Sequence, residues 1–383
     1  MPLPRALPAA LLLALAAPVL PAAPATAAPP SDVRVATFNA SLNRAAEGEL
    51  VADLSTPDDP QAREVAEVVQ RVRPDVLLVN EFDYAPAAVD LFRHNYLERG
   101  QNGAEPIEYP HAFIAPSNTG VPSGFDLDNN GSVGGGNDAL GFGVFPGQYG
   151  MLVLSRFPID TGAVRTFQHF LWKDLPGARL PEGFYSPEEL AVLPLSSKSH
   201  WDVPVHIGGR TLHVLASHPT PPTFDGPEDR NGLRNADEIA FWRLYVQPGA
   251  NGNALYDDAG RRGGLGGGER FVIMGDQNSD PLDGDSVAGA AQQILTAHRV
   301  LDPAPASEGA AEAANPGHRG DPRLDTADFS DPTPGNLRVD YVLPSRPMDV
   351  RGSGVFWPVA ADPLARLNDA SDHHSTWVDL RVR

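Results

Sequence analysis

The chain has 383 residues, 42% of them hydrophobic, with no cysteine and a formal charge of −20. That length and apolar share can bury a large core, and the missing cysteines exclude disulfides, thiolate nucleophiles and cysteine-ligated zinc. Lys173 and Lys198 are the only lysines, so a broad basic footprint for nucleic acid is excluded, although a local metal site can still neutralise one phosphate inside an acidic protein.

In chain order, Arg5 stands before an Ala/Leu run, Leu7 to Leu20, followed by small residues ending in Ala25-Thr26-Ala27. This pattern predicts a cleaved export signal over residues 1–27, with cleavage after Ala27. Pro8 and Pro18 interrupt the run, which is shorter than the roughly 20 apolar residues of a membrane span. No transmembrane anchor is therefore expected after cleavage, and the remaining domain, 28–383, is expected to be secreted or periplasmic.

Val33 to Asn39 reads as a strand ending on a polar residue. A helix follows, capped by Asp59, opened by Pro60, carrying Val65, Val68, Val69 and Val72 on one face, and stopped before Pro74. Asp75 to Asn80 reads as a second strand that delivers Glu81 at its end. Strand, helix, strand with polar groups at the strand ends is an α/β layering pattern. From Gly100 to Gly147 the chain is expected to be mostly loop. Within it, Asp126, Asp128 and Asn130 resemble the front of a calcium-binding loop, but Asn137 occupies the position of the closing Glu, so an Asx-rich turn competes with a Ca²⁺ site.

Met151 to Ser155 reads as a strand. Gln168 to Leu195, punctuated by four prolines, suits an irregular excursion rather than a core element. Leu212 to Ser217 forms a strand leading into His218, a helix starts near Asn231, and Gly263 to Gly268 suits a flexible connection. Phe271 to Met274 is an apolar strand ending at Gly275-Asp276-Gln277-Asn278. Ala304 to Ala314 suits a surface insertion. Leu337 to Leu343 and Thr376 to Val382 alternate as strands, the second preceded by Ser371-Asp372-His373-His374. No linker divides the chain, so one domain with long insertions is expected.

Asn39, Glu81, His218, Asp276, Asn278, Asp340, Asp372 and His373 all stand in or just after β-rich runs. Strand ends of a layered fold converge on one rim. Oxygen donors such as Glu81, Asp276, Asn278 and Asp372 suit Mg²⁺ or Mn²⁺ more than zinc, and the matching chemistry is phosphoryl transfer to water.

The ordered set Thr37-Phe38-Asn39, Asn80-Glu81, Leu154 to Ile159, Ser217-His218, Gly275 to Asn278, Val339 to Val342 and Ser371-Asp372-His373 resembles the endonuclease/exonuclease/phosphatase superfamily. The resemblance implies a four-layer α/β/β/α sandwich, two mixed β-sheets packed face to face with outer helices and the site at one end. It further implies Glu81 as principal metal ligand, Asn39 assisting the metal or phosphate, and Asp372 as a further metal-side carboxylate. Asp276 would position or activate the water, Asn278 would hold a phosphate oxygen, and His218 would contact phosphate or give acid help. His373 would contact the scissile phosphate or act as base, its tautomer fixed by Asp340. Gln277 departs from the family, which usually has an aromatic or apolar residue there. Of His373 and His374, neighbours on an extended segment, only one should face the phosphate.

Arg230 and Arg234, one helical turn apart, could grip a non-scissile phosphate or be solvated helix charges. Lys198 and His200 form a polar patch that could touch substrate. Asp325 and Asp328 could hold an auxiliary cation or form a solvated acidic loop. The long loops are acidic to neutral, which favours a phosphoester that is a small molecule over duplex DNA; an extracellular nuclease is the main alternative and a sphingomyelinase-like lipid hydrolase ranks third. A non-enzymatic calcium-binding surface module is the rival from another class. No stable protein partner is expected.

Overall fold

Side chains on a strand alternate between two faces, and in this chain both faces are apolar. The computed structural model describes residues 1–2, 31–247, 249–346 and 348–382; the export-signal reading falls almost wholly outside them. Strand β1 (Ser31–Asn39) sends Val33 and Val35 into one hydrophobic cluster and Ala36 and Phe38 into another. It is followed by β2 (Val76–Asn80), β3 (His111–Phe113), β4 (Met151–Ser155), β5 (Arg165–Thr166), β6 (His200–Ile207) and β7 (Arg210–Ser217). Then come β8 (Arg270–Asp276), β9 (Ala327–Asp328), β10 (Asn336–Leu337), β11 (Asp340–Pro344), β12 (Asp349–Val355) and β13 (Thr376–Val382).

These strands build a six-stranded sheet, β12-β13-β1-β2-β4-β3, and a five-stranded sheet, β11-β8-β7-β6-β5, with β9 and β10 forming a separate ribbon. Both large sheets are mixed, because β1 runs parallel to β2 and β7 parallel to β8 while the other neighbours are antiparallel. Val35, Leu78 and Val153 of the first sheet meet Val203, Val214, Val272 and Val342 of the second in one dry layer. On the far side of the first sheet, Phe38, Leu77 and Val79 pack against α1 (Glu49–Leu54), α2 (Pro60–Val72) and α3 (Pro86–Phe92). Beyond α4 (Pro187–Leu190), a short capped turn, α5 (Arg230–Val246) covers the far side of the second sheet through Ala236, Ile239 and Ala240 against Leu215, Phe271 and Ile273. The result is the four-layer α/β/β/α sandwich.

Helix α2 shows the local logic. The Asp59 carboxylate accepts the Ala62 amide at 2.7 Å, a cap contributing about 1 kcal/mol, and Pro60 occupies a first-turn position that needs no donor. Val65, Val68, Val69 and Val72 form the buried stripe, and Arg73 ends the helix in a left-handed conformation.

One strand was not anticipated and three expectations change. Strand β6 contains Pro204, which breaks the sequence signal for a strand; it survives because β5, its neighbour on one side, is only two residues long and leaves few ladder bonds to lose. The excursion from Gln168 to Leu195 is irregular yet belongs to the core, burying Phe170, Trp172, Leu193 and Leu195. The glycine-rich connection is packed over its first half, where a Cβ on Gly264 would lie 2.2 Å from the Tyr245 carbonyl oxygen and the Leu265 amide donates to that oxygen, while Gly266 to Gly268 are exposed. The Ala304 to Ala314 segment includes the turn Glu308–Glu312, whose Ala310 is buried with Val355 and Trp357.

Candidate active site

Register brings the polar residues together. Asn39 pairs with Asn80 at the ends of β1 and β2, and Asp276 at the end of β8 pairs with Asp340 at the start of β11. Strand β7, parallel to β8, ends at Ser217 beside them, and β13, antiparallel to β1, starts just after His373 at the same rim. Two residues leave their strands strained: Glu81 at φ 59° and Asn278 at φ 51° are left-handed, a conformation non-glycine residues rarely adopt and one that clusters at functional sites.

Asp276 is the hub. Its Oδ2 accepts from Asn39 Nδ2 at 3.2 Å and lies 3.4 Å from His218 Nε2 and 3.6 Å from His373 Nε2, while Oδ1 accepts the Asn278 amide at 2.7 Å. Burial alone would raise its pKa, but the charge of His373 and the hydrogen bond from His218 outweigh that and hold the carboxyl well below the usual range. His373 Nδ1 lies 2.8 Å from Asp340 Oδ2. Burial opposes the imidazolium, yet the flanking carboxylates of Asp340 and Asp276 push its pKa up to about 10. His218 goes the other way, lowered to about 4 by burial and by the positive charge of Lys198; its Nδ1 is buried without a partner. The site thus holds one charged and one neutral imidazole at pH 7. His374 turns away and stacks on Trp357, ring centroids 3.7 Å apart.

Asp276, Asp340 and His373 offer ligand atoms within 4.8 Å of one another and could hold a cation, with His373 Nδ1 and Asp340 Oδ2 already bonded to each other; the oxygens of Glu81 are a second place for one. Glu81 stands beside the trio. Burial raises the pKa of its carboxyl, and Asp276 and Asp372 add to the strain against the help of His373 and an Asn39 hydrogen bond. A divalent cation among these oxygens relieves that repulsion. Asp372 is exposed, its carboxylate accepting from Ser41 Oγ at 3.3 Å.

Other candidates are committed elsewhere. Arg234 donates to the carbonyls of Leu195, Leu140 and Pro194 at 2.7–2.9 Å, and His200 Nε2 meets the Glu238 carbonyl at 2.9 Å while its ring packs on Phe241 and Trp242; both are corrected from phosphate contacts to packing residues. Arg230 pairs with Glu228 at 2.6 Å. In the 126–138 loop Asp138 brings a third carboxylate to Asp126 and Asp128, their oxygens lying within 4.8 Å of one another. Backbone amides already cap Asp126 and Asp138, as in the Asx-rich turn.

Several supporting residues escaped sequence reasoning. Thr326 Oγ1 donates to Asp340 Oδ2 at 2.9 Å and accepts the amides of Val339 and Asp340. Asp83 accepts the amides of Arg44 and Tyr149, fixing the loop after Glu81; burial lifts its pKa to about 6. Gln277 is buried, its amide meeting Ser217 Oγ at 3.0 Å, and Ser217 Oγ also accepts Trp242 Nε1 at 2.8 Å. Only the position of Gln277 between Asp276 and Asn278 hinted at it.

The sequence matches the endonuclease/exonuclease/phosphatase family over residues 36–373, from β1 through His373, and the chain belongs to that family. Its members are phosphoester hydrolases that use divalent metals. No curated protein matches the sequence. Among solved structures, the chain is similar to an endonuclease/exonuclease/phosphatase from Beutenbergia cavernae, 18% identical, with a TM-score of 0.50 over 92% of this chain and 72% of that one. It is also similar to a family protein from Bacteroides thetaiotaomicron (13%, TM-score 0.49, 93% and 97%) and to sphingomyelinase C from Streptomyces griseocarneus (14%, TM-score 0.47, 91% and 99%). At 18% identity the likeness to the Beutenbergia protein shows the fold alone.

Proposed function

We propose that the chain is a secreted or periplasmic Mg²⁺- or Mn²⁺-dependent phosphoester hydrolase that directs water onto phosphorus. The observation that carries this is the meeting of Asn39, His218, Asn278, Asp340 and His373 around Asp276, with Glu81 beside them. Glu81, with Asn39 and Asp372 alongside, would hold the divalent cation, which would supply positive charge to the phosphoryl group.

The protein's own groups do the rest. Asp276, kept ionised, orients the attacking water and can take its proton. The His373 imidazolium, held by Asp340, presents Nε2–H to a phosphoryl oxygen, and neutral His218 directs its one N–H at Asp276 Oδ2, 3.4 Å away, helping to keep that carboxylate ionised. Asn278, fixed by its own strained turn, offers its amide. The loops carry few cations: Lys173 is exposed and Arg230 is neutralised by Glu228, which supports a small phosphoester over duplex DNA.

The test is hydrolysis of bis-p-nitrophenyl phosphate, p-nitrophenyl phosphate, plasmid DNA and sphingomyelin with Mn²⁺ or Mg²⁺ and with EDTA. Metal-dependent release of p-nitrophenol is expected. Efficient plasmid nicking at low enzyme would move the reading to a nuclease, and no metal-dependent turnover of any substrate would leave the calcium-binding surface module standing.

A further inference from the structure

Lys198 is one of two lysines in a chain of net charge −20, yet it is only 6% exposed. A buried ammonium demands full hydrogen bonding or a counter-charge. This one has a single hydrogen-bond partner among the described residues, the Pro219 carbonyl at 3.5 Å, the outer limit of such a bond, and no ion pair. Glu238 acts on it as a counter-charge without pairing directly, since its two oxygens accept the amides of Ser197 at 2.9 Å and Thr220 at 2.6 Å.

Those same two bonds explain where the ammonium sits. Glu238 clamps the residue before Lys198 to the segment that follows His218. The Pro219 carbonyl that receives Lys198 Nζ also receives Asn278 Nδ2 at 3.1 Å, so the ammonium and the amide flank one oxygen. Burial lowers the pKa of Lys198, and the carboxylates of Glu238, Glu81 and Asp276 oppose that and favour the ammonium; its charge is also felt by His218. At least two N–H donors of the ammonium are therefore unspent, beside the residues that surround the scissile bond.

We propose that Lys198 is a phosphate-contacting residue, its ammonium binding a non-bridging oxygen of the substrate phosphoryl group beside Asn278. This rests on the hydrolase reading of the site and adds a protein-borne cation to it. Such a contact holds the phosphoryl group against the metal and strengthens as negative charge builds on the equatorial oxygens.

The two-lysine composition provides a direct test. Protein labelled with ¹³Cε-lysine gives two lysine signals, and the exposed Lys173, replaced in Lys173→Arg, assigns them. Titration with Mg²⁺ alone and then with orthophosphate should move the Lys198 signal on the phosphate step and leave Lys173 unmoved. In parallel, Lys198→Met should lose about 10²-fold in kcat/KM and weaken competitive inhibition by orthophosphate at least tenfold, with Lys198→Arg regaining part of both. A Lys198 signal that stays fixed at phosphate concentrations inhibiting the wild type overturns the proposal, and that measurement stands even where Lys198→Met does not fold. A wild type that hydrolyses no phosphoester overturns the site reading and this contact together, whereas an active wild type with a fixed Lys198 signal overturns the contact alone.

Discussion

The amide of Asp276 donates to Asn80 Oδ1 at 3.1 Å, so the end of β2 in one sheet carries the end of β8 in the other. Asn80 is fully buried, accepts from Thr37 Oγ1 and reaches toward the Ser217 carbonyl. It touches no reacting group in the proposed mechanism and acts by positioning Glu81, the next residue, against Asp276. Asn80→Ala leaves a buried amide without its acceptor, which should cost about 1–3 kcal/mol of stability, and it frees the two sheet ends to drift, lowering kcat by roughly 10- to 100-fold. Urea unfolding and steady-state kinetics on the same preparation check this. A variant with normal stability and normal kcat would show that the inter-sheet bond is idle.

The pairing of His373 with Asp340 sets a pH dependence. Its folded-state pKa, about 10, lies above that of a free imidazole. The imidazolium's contribution is therefore lost as pH rises through about 10, and on the acid side the charge pair fades as Asp340, whose pKa burial raises to about 6, takes up a proton. If the imidazolium contacts the phosphoryl group, kcat/KM should fall along an alkaline limb as His373 deprotonates. Asp340→Asn removes the main counter-charge, so the limb should move down by at least about one pH unit, with roughly a 10- to 100-fold loss below it. A pH–rate profile whose alkaline limb stays in place in Asp340→Asn would count against His373 as its source.

Glu81 predicts a linkage between metal and stability. A ligand present at a hundredfold its dissociation constant and bound only by the folded state stabilises by about 2.7 kcal/mol. Mn²⁺ should thus raise the thermal midpoint of the EDTA-treated protein, and Glu81→Gln should abolish most of that rise together with turnover. Differential scanning calorimetry across a metal titration reads it directly. An undiminished metal-induced shift in Glu81→Gln would place the cation elsewhere.

What could be read in the sequence follows from which residues act locally. Asp59, Pro60 and the valine stripe announce α2 because capping and periodicity are short-range. Asn39, Glu81, Asp276, Asp340 and His373 are legible because each sits where a strand delivers it to the rim. Strand β6 was hidden by Pro204, whose missing donor matters little beside so short a neighbour. Phe170 and Trp172 were hidden by prolines around them, since burial of an irregular segment depends on what α5 offers across the chain. Asn80 and Thr326 could not be singled out for their roles, because their partners, Asp276 and Asp340, are distant in sequence or reached only through the fold. His218 and Lys198 share that limit: their spacing says nothing of the clamp that Glu238 places between them.

The same limit explains Arg234, whose helical position suggested a phosphate grip. Its guanidinium instead ties α5 to three carbonyls of the loops crossing it, those of Leu140, Pro194 and Leu195, and it is 8% exposed. Arg234→Met keeps most of the aliphatic packing but leaves those carbonyls without their donor, so it should cost about 2–4 kcal/mol of stability. Because the buried guanidinium is anchored to three carbonyls through Nε and Nη2, KM for bis-p-nitrophenyl phosphate should change less than about twofold at a temperature where the variant is folded, whereas loss of a charge-assisted phosphate contact would cost at least about tenfold. Chemical denaturation paired with KM separates the two roles: a stable Arg234→Met with a strongly raised KM would return Arg234 to the phosphate, and an unstable one with normal KM fixes it as the strut between α5 and the loops over the site.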